Sequence, residues 1–191
     1  MVENFSKSVV QKLIKQGVIE SFECEIYCLG VTQMITNIID TVIILVIAIC
    51  FKQVVFTSVF LICFASIRQY AGGFHAKTPI GCFGTTMVVS LSAILAAKHY
   101  SVWQQFAIVI WGISGYIICF SAPVQNSNKP LDDIEKRVYR KRTWCVWLLQ
   151  SAIMFICIIN KQHEFYAGIV VAQTCSALAL CMEMNIRRDK K

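Results

Sequence analysis

The sequence predicts an all-α integral membrane protein, a bundle of about six transmembrane helices. Three observations predict it. Hydrophobic residues make up 57% of the 191-residue chain and charged residues only 15%, where a soluble domain is normally about a quarter charged. Six apolar runs recur, all but the second near the length that crosses a bilayer. The basic residues are sorted between alternate connections of those runs. The mean hydropathy of +0.61 agrees.

The first twenty residues form the opening element. Phe5, Val9, Val10, Leu13, Ile14 and Val18 recur at helical spacing, punctuated by Lys7, Lys12 and Lys15. That pattern predicts an amphipathic helix lying at the membrane surface over 1–20, with an ordinary soluble N-terminal helix as the alternative. The apolar runs follow at roughly 29–51, 54–67, 80–97, 102–120, 143–159 and 165–182. Residues 29–182 thus form the transmembrane bundle of a single membrane domain covering 1–191. The second run has only about 14 residues, below the roughly 20 that span a bilayer, so a four-crossing fold with short or re-entrant segments is the alternative.

The positive-inside rule sets the orientation. With a cytoplasmic N-terminus, the outside connections hold only Lys52, Lys98 and Lys161, and 15 of the 18 Lys and Arg residues lie inside. Both termini are therefore expected in the cytoplasm. Residues 121–142, SAPVQNSNKPLDDIEKRVYRKR, are the long polar connection and form a cytoplasmic basic loop. Its acidic residues come before its basic ones, which fits a short helix leading into the next span.

Several function classes fall away. The net charge of +7 is spread between apolar runs rather than gathered in a basic arm interleaved with aromatics, so nucleic acid is not an expected partner. Cys50, Cys63, Cys119, Cys145, Cys157, Cys175 and Cys181 lie in apolar helix candidates, where free cysteine is a small, soft hydrophobe. Cys24 and Cys28 share a helix face with no second ligand pair nearby. No HExxH or GxSxG motif occurs, and neither metal nor organic cofactor is implied.

One run is different in kind: RQYAGGFHAKTPIGC, Arg68 to Cys82. It joins two apolar runs at the cytoplasmic side. Gly72-Gly73 supplies backbone freedom. Thr78-Pro79 reads as an N-cap followed by proline at the first helical position. Cys82 then falls in the first turn of the next helix, where free amides and the helix dipole favour a thiolate. His75, seven residues earlier across a loop, is placed to take the thiol proton, as in cysteine hydrolases. First-turn amides are candidates for an oxyanion hole.

This run resembles the signature of the accessory gene regulator B family, membrane endopeptidases that process the precursor of a cyclic quorum-sensing peptide in Gram-positive bacteria. Chain length, multiple membrane helices and the SAPVQNSNKPL stretch match that layout. The resemblance implies a cysteine endopeptidase at the cell membrane, with Cys82 as nucleophile and His75 as general base at the cytoplasmic face. Its partner is an autoinducing-peptide propeptide, cleaved before its C-terminal part. The Cys82 thioester is then resolved by a thiol within the peptide to give a thiolactone, or by a serine to give a lactone. A homodimer fits the same resemblance.

Further candidates for substrate contact are Arg68, Gly72, Gly73, Asp40, Lys129 and Pro130. Arg68 would pair with acidic residues of the peptide, or else anchor a helix end at the headgroups. Lys129 and Pro130 would touch substrate or simply be solvated. Asp40 closes a polar stripe with Gln33, Thr36 and Asn37 in the first span, so it should face the bundle interior. There it would line a substrate groove, orient His75 or bridge helices. Two readings from other classes stand beside the protease: a small transporter or peptide exporter using the Asp40 stripe, and a membrane scaffold binding a partner through its basic loops.

Overall fold

The computed structural model describes residues 2–74, 78–124 and 131–188. Among them the chain is helical throughout, with helices α1 (Val2–Lys15), α2 (Cys24–Cys50), α3 (Val54–Ala71), α4 (Pro79–Lys98), α5 (Tyr100–Trp103), α6 (Ala107–Ser121), α7 (Asp133–Ile159) and α8 (His163–Arg188). Six spans are long and apolar enough to cross a membrane, the α5–α6 pair counting as one. Helices suit this setting because hydrocarbon offers backbone N–H and C=O groups no partners but each other. The apolar side chains that α2 exposes, among them Ile38, Val42, Val46 and Ile49, suit a lipid-facing surface.

The second span is longer than its apolar run. Its helix continues through Ile67, Arg68, Gln69 and Tyr70 to Ala71, reaching 18 residues. The polar end of the run had read as loop, because Arg68 and Gln69 break the apolar pattern. The sixth span likewise runs on past residue 182 to Arg188. The basic stretch before the fifth span is not a separate short helix. It forms the first turns of α7, opened by a capping box in which Glu135 N–H donates to Asp132 and Asp132 N–H donates to Glu135. The fourth span departs in the other direction: α5 and a 3-10 turn at Gln104–Phe106 precede α6.

The described residues divide into two compact units, Met1–Ile44 with Ala76–Met87, and Leu45–His75 with Val88–Lys191. In the first, α1 buries Ser6 and Val10, one turn apart. Thr32 of α2 donates to Ser6 Oγ at 2.9 Å. Phe5 remains exposed, so the buried face of α1 is centred on Ser6 and Val10 rather than on its largest apolar residue.

The second unit is organised around α8. Ile67, Ala71, Ile118, Ala122, Ala177 and Leu180 make one core cluster, and Phe56, Phe60, Ala93, Ala167 and Ala172 another. Lipid tails are as apolar as leucine, so such helices associate through close packing and hydrogen bonds. Both devices are present. Gln150 of α7 donates to Cys63 O at 3.0 Å and Ser66 Oγ at 2.9 Å on α3, and accepts from Gln173 of α8 at 3.4 Å. At Gly168 a Cβ would stand 3.1 Å from both Phe56 O and Val59 Cβ, so α8 meets α3 at near-backbone distance.

Gly168→Leu should therefore force α3 and α8 apart. Overpacking of this kind costs about 1–3 kcal/mol. A lowered thermal midpoint in detergent is expected, and an unchanged midpoint would refute the close packing.

Candidate active site

Cys82 stands where the sequence places it, in the first turn of α4. Thr78 caps the turn: Gly81 N–H donates to Thr78 Oγ1 at 3.1 Å and Cys82 N–H to Thr78 O at 3.0 Å. The thiol is half-buried, open enough for a partner to reach it. These same bonds alter the expectation of an oxyanion hole in the first turn. Pro79 has no N–H, and the amides of Gly81 and Cys82 itself are already engaged.

A side chain adds a donor at the sulfur. Gln33 of α2 directs its Nε2 to Cys82 Sγ at 3.9 Å and also donates to Asn37 Oδ1 at 2.8 Å. Sequence reading recognised Gln33 only as a member of a polar stripe. Its neighbourhood with Cys82 spans 49 positions and leaves no local signal.

Asp40, two turns further along α2, is 3% exposed, and its Oδ1 has no hydrogen-bond partner among the described residues. It is thus an interior carboxyl group, as expected of an ionisable residue in a span.

The other half of the signature run closes α3 in the second unit. Arg68, in the last turn, sends Nη2 to Phe74 O at 2.7 Å, and its guanidinium lies 5.6 Å from the Phe64 ring centroid. The Gly-Gly pair is held on two sides. Gly72 bridges Val124 beyond the end of α6, and Val124 N–H donates to Ala71 O at 2.9 Å. Phe74 N–H donates to Ala179 O of α8 at 3.1 Å.

Both glycines are required by geometry. Gly72 has φ +74° and Gly73 φ +120°. A Cβ on Gly72 would collide with Val124 O, and one on Gly73 would lie 2.5 Å from Arg68 Nη1. The chain thus delivers Phe74 from a fixed base. The flexible loop expected from Gly-Gly is, up to residue 74, a pinned one.

The basic start of α7 joins this end of the unit. Arg140 Nε donates to Ala122 O at 3.2 Å, and the Arg142 guanidinium lies 5.6 Å from the Tyr70 ring centroid. The pinning by Val124, Ala179 and Arg140 was not visible in sequence, since each partner is far along the chain. His75, Lys129 and Pro130 lie outside the described residues.

The fold and this constellation define a multi-pass membrane protein with a half-buried thiol at a capped helix start. The model of the family Accessory gene regulator B, AgrB, matches residues 6–180. The chain belongs to that family. It is 26% identical over 150 residues to a putative AgrB-like protein 2 of Clostridium perfringens strain 13, covering 74% of this chain and 70% of that one. It is 23% identical over 134 residues to the accessory gene regulator protein B of Staphylococcus carnosus, covering 70% and 69%. No solved structure matches the chain.

Gly72→Ala tests the pinned segment. A side chain in this glycine region of backbone space costs about 1–3 kcal/mol, with the Val124 collision in addition. A fall in thermal midpoint is expected, larger than for Gly84→Ala, where a Cβ meets nothing within 4 Å. Equal midpoints would show that the Gly72–Val124 pairing is dispensable.

Proposed function

We propose that this chain is a membrane cysteine endopeptidase that releases the C-terminal part of a quorum-sensing propeptide and promotes cyclisation of the remainder. The observation that carries it is Cys82, a half-buried thiol in the capped first turn of α4 with an amide donor beside its sulfur. Membership of the AgrB family and the RQYAGGFHAKTPIGC run support the same reading.

In this mechanism His75 takes the Cys82 proton, and the thiolate attacks the carbonyl carbon of the scissile peptide bond. The C–N bond breaks as the imidazolium returns its proton to the leaving amine. The product is a thioester on Cys82. A thiol within the peptide, itself deprotonated, then attacks that carbonyl and expels the Cys82 thiolate, giving a thiolactone. A serine hydroxyl in its place gives a lactone. Thioester exchange keeps the acyl group activated, whereas water would end the sequence as a carboxylate.

Arg68, Gly72 and Gly73 act here by holding the segment that leads to His75. Lys129, Pro130 and the basic start of α7 are candidates for the acidic tail of the propeptide. Asp40 lines the same α2 stripe as Gln33. The distribution of Lys and Arg supports cytoplasmic termini and a cytoplasmic active site, and a homodimer is compatible with this assignment.

Asp40 is the observation that favours the second reading, a small transporter or peptide exporter, since a buried carboxyl oxygen without a partner suits a transport path. Substitutions separate the two. With purified protein in lipid and its own propeptide, mass spectrometry should show tail release and a covalent adduct in wild type. Cys82→Ala should lose both, and His75→Ala should lose tail release. Processing by Cys82→Ala at the wild-type rate, with loss of transport in Asp40→Asn, would favour the exporter.

A further inference from the structure

We propose that the side-chain amide of Gln33 is the oxyanion-stabilising donor of this site, a role that rests on Cys82 being the acyl-carrying nucleophile. When a thiolate adds to a peptide carbonyl, negative charge develops on the carbonyl oxygen. A fixed donor must await it about 2.7–3.1 Å from where that oxygen will stand. In many hydrolases a backbone amide at the nucleophile does this. Here the Cys82 N–H is spent on Thr78 O and the Gly81 N–H on Thr78 Oγ1.

Gln33 Nε2 lies 3.9 Å from Cys82 Sγ. An oxygen on a carbon newly bonded to that sulfur can stand within hydrogen-bond reach of the nitrogen. The amide carries two N–H groups. One is directed at Asn37 Oδ1 at 2.8 Å, with the NH2 group toward the sulfur. The other is free to follow charge from sulfur to oxygen as the adduct forms. Gln33 and Asn37 are one turn apart on α2, so the donor is oriented by a rigid element.

Gln33 is neutral, and this suits the task. It meets the charge that develops on oxygen without lowering the thiolate's nucleophilicity as a full cation would. The donor's contribution should therefore be realised in the transition state and leave propeptide binding largely untouched.

The test compares wild type with Gln33→Leu, which removes the amide, and Gln33→Glu, which keeps the shape without the N–H pair. Tail release from the propeptide gives kcat and KM. Alkylation of Cys82 by iodoacetamide reports the thiol alone, since it passes through no oxyanion. Loss of one oxyanion donor should lower kcat about 10²–10³-fold. KM should hold in both variants, and Cys82 alkylation should continue in Gln33→Leu.

Wild-type kcat in Gln33→Leu would overturn the proposal. So would parallel loss of release and alkylation in that variant, because Gln33 would then be holding α4 rather than the oxyanion. Gln33→Glu decides the matter if Gln33→Leu does not fold: a kcat lowered well beyond the fall in Cys82 alkylation supports the donor, and a wild-type kcat, or a kcat lowered only in step with alkylation, overturns it. Tail release at the wild-type rate by Cys82→Ala is a separate result, which removes the nucleophile itself and the Gln33 role with it.

Discussion

Much of the second unit depends on the amide of Gln150. It reaches from α7 to the Cys63 carbonyl and Ser66 hydroxyl of α3 and receives Gln173 of α8, so one side chain ties three helices. In water such a knot would matter less than apolar burial. Between helices already solvated by lipid it sets register, because an unpaired buried amide costs about 1–3 kcal/mol. Ser114 and Thr174, with hydroxyls 3.1 Å apart, add a second tie between α6 and α8. Small residues do the remainder: Ala71, Ala122, Ala167, Ala172, Ala177 and Gly168 let these helices approach closely.

That register decides where α3 ends, and the end of α3 is where the signature run begins. An irregular segment near a membrane must satisfy its backbone from neighbouring protein. Residues 72–74 do so against Val124 on one side and Ala179 on the other. Arg68 completes the turn by donating back to Phe74 O. The guanidinium thereby helps to hold its own loop. Gly72 is compulsory because the Val124 backbone fills the space a side chain would need, and Gly73 because of its φ of +120°.

Much of the fold was legible because hydrophobic runs report membrane spans directly. All six spans, the Thr78 cap and the Cys82 position in the first turn of α4 follow from local pattern. What failed locally were helix ends with polar residues on them. Arg68, Gln69 and Tyr70 read as loop but continue α3, since helix hydrogen bonds persist where the apolar run stops. The basic stretch at the start of α7 likewise continues the span's helix rather than standing apart from it. The tertiary partners were out of reach, as Gln33 meets Cys82, and Val124 meets Gly72, across dozens of residues with no shared periodicity. Gln33 could be seen to face inward but not to face a thiol.

Ten free cysteines give this chain ten possible nucleophiles, and placement distinguishes them. Cys119 is buried, and Cys63 and Cys175 pack against the α3–α8 core. Cys50 and Cys145 are exposed. Cys82 joins a helix N-terminus and partial access to a side-chain amide donor at its sulfur. The proposed chemistry needs that combination, because the thiol must be charged to attack yet must leave readily when a second thiol arrives. Two thiols of similar acidity exchange an acyl group at little cost, while hydrolysis would discard it. A neutral amide beside the sulfur assists both directions equally. It steadies the charge in each tetrahedral adduct without favouring one thiolate as the permanent holder of the acyl group.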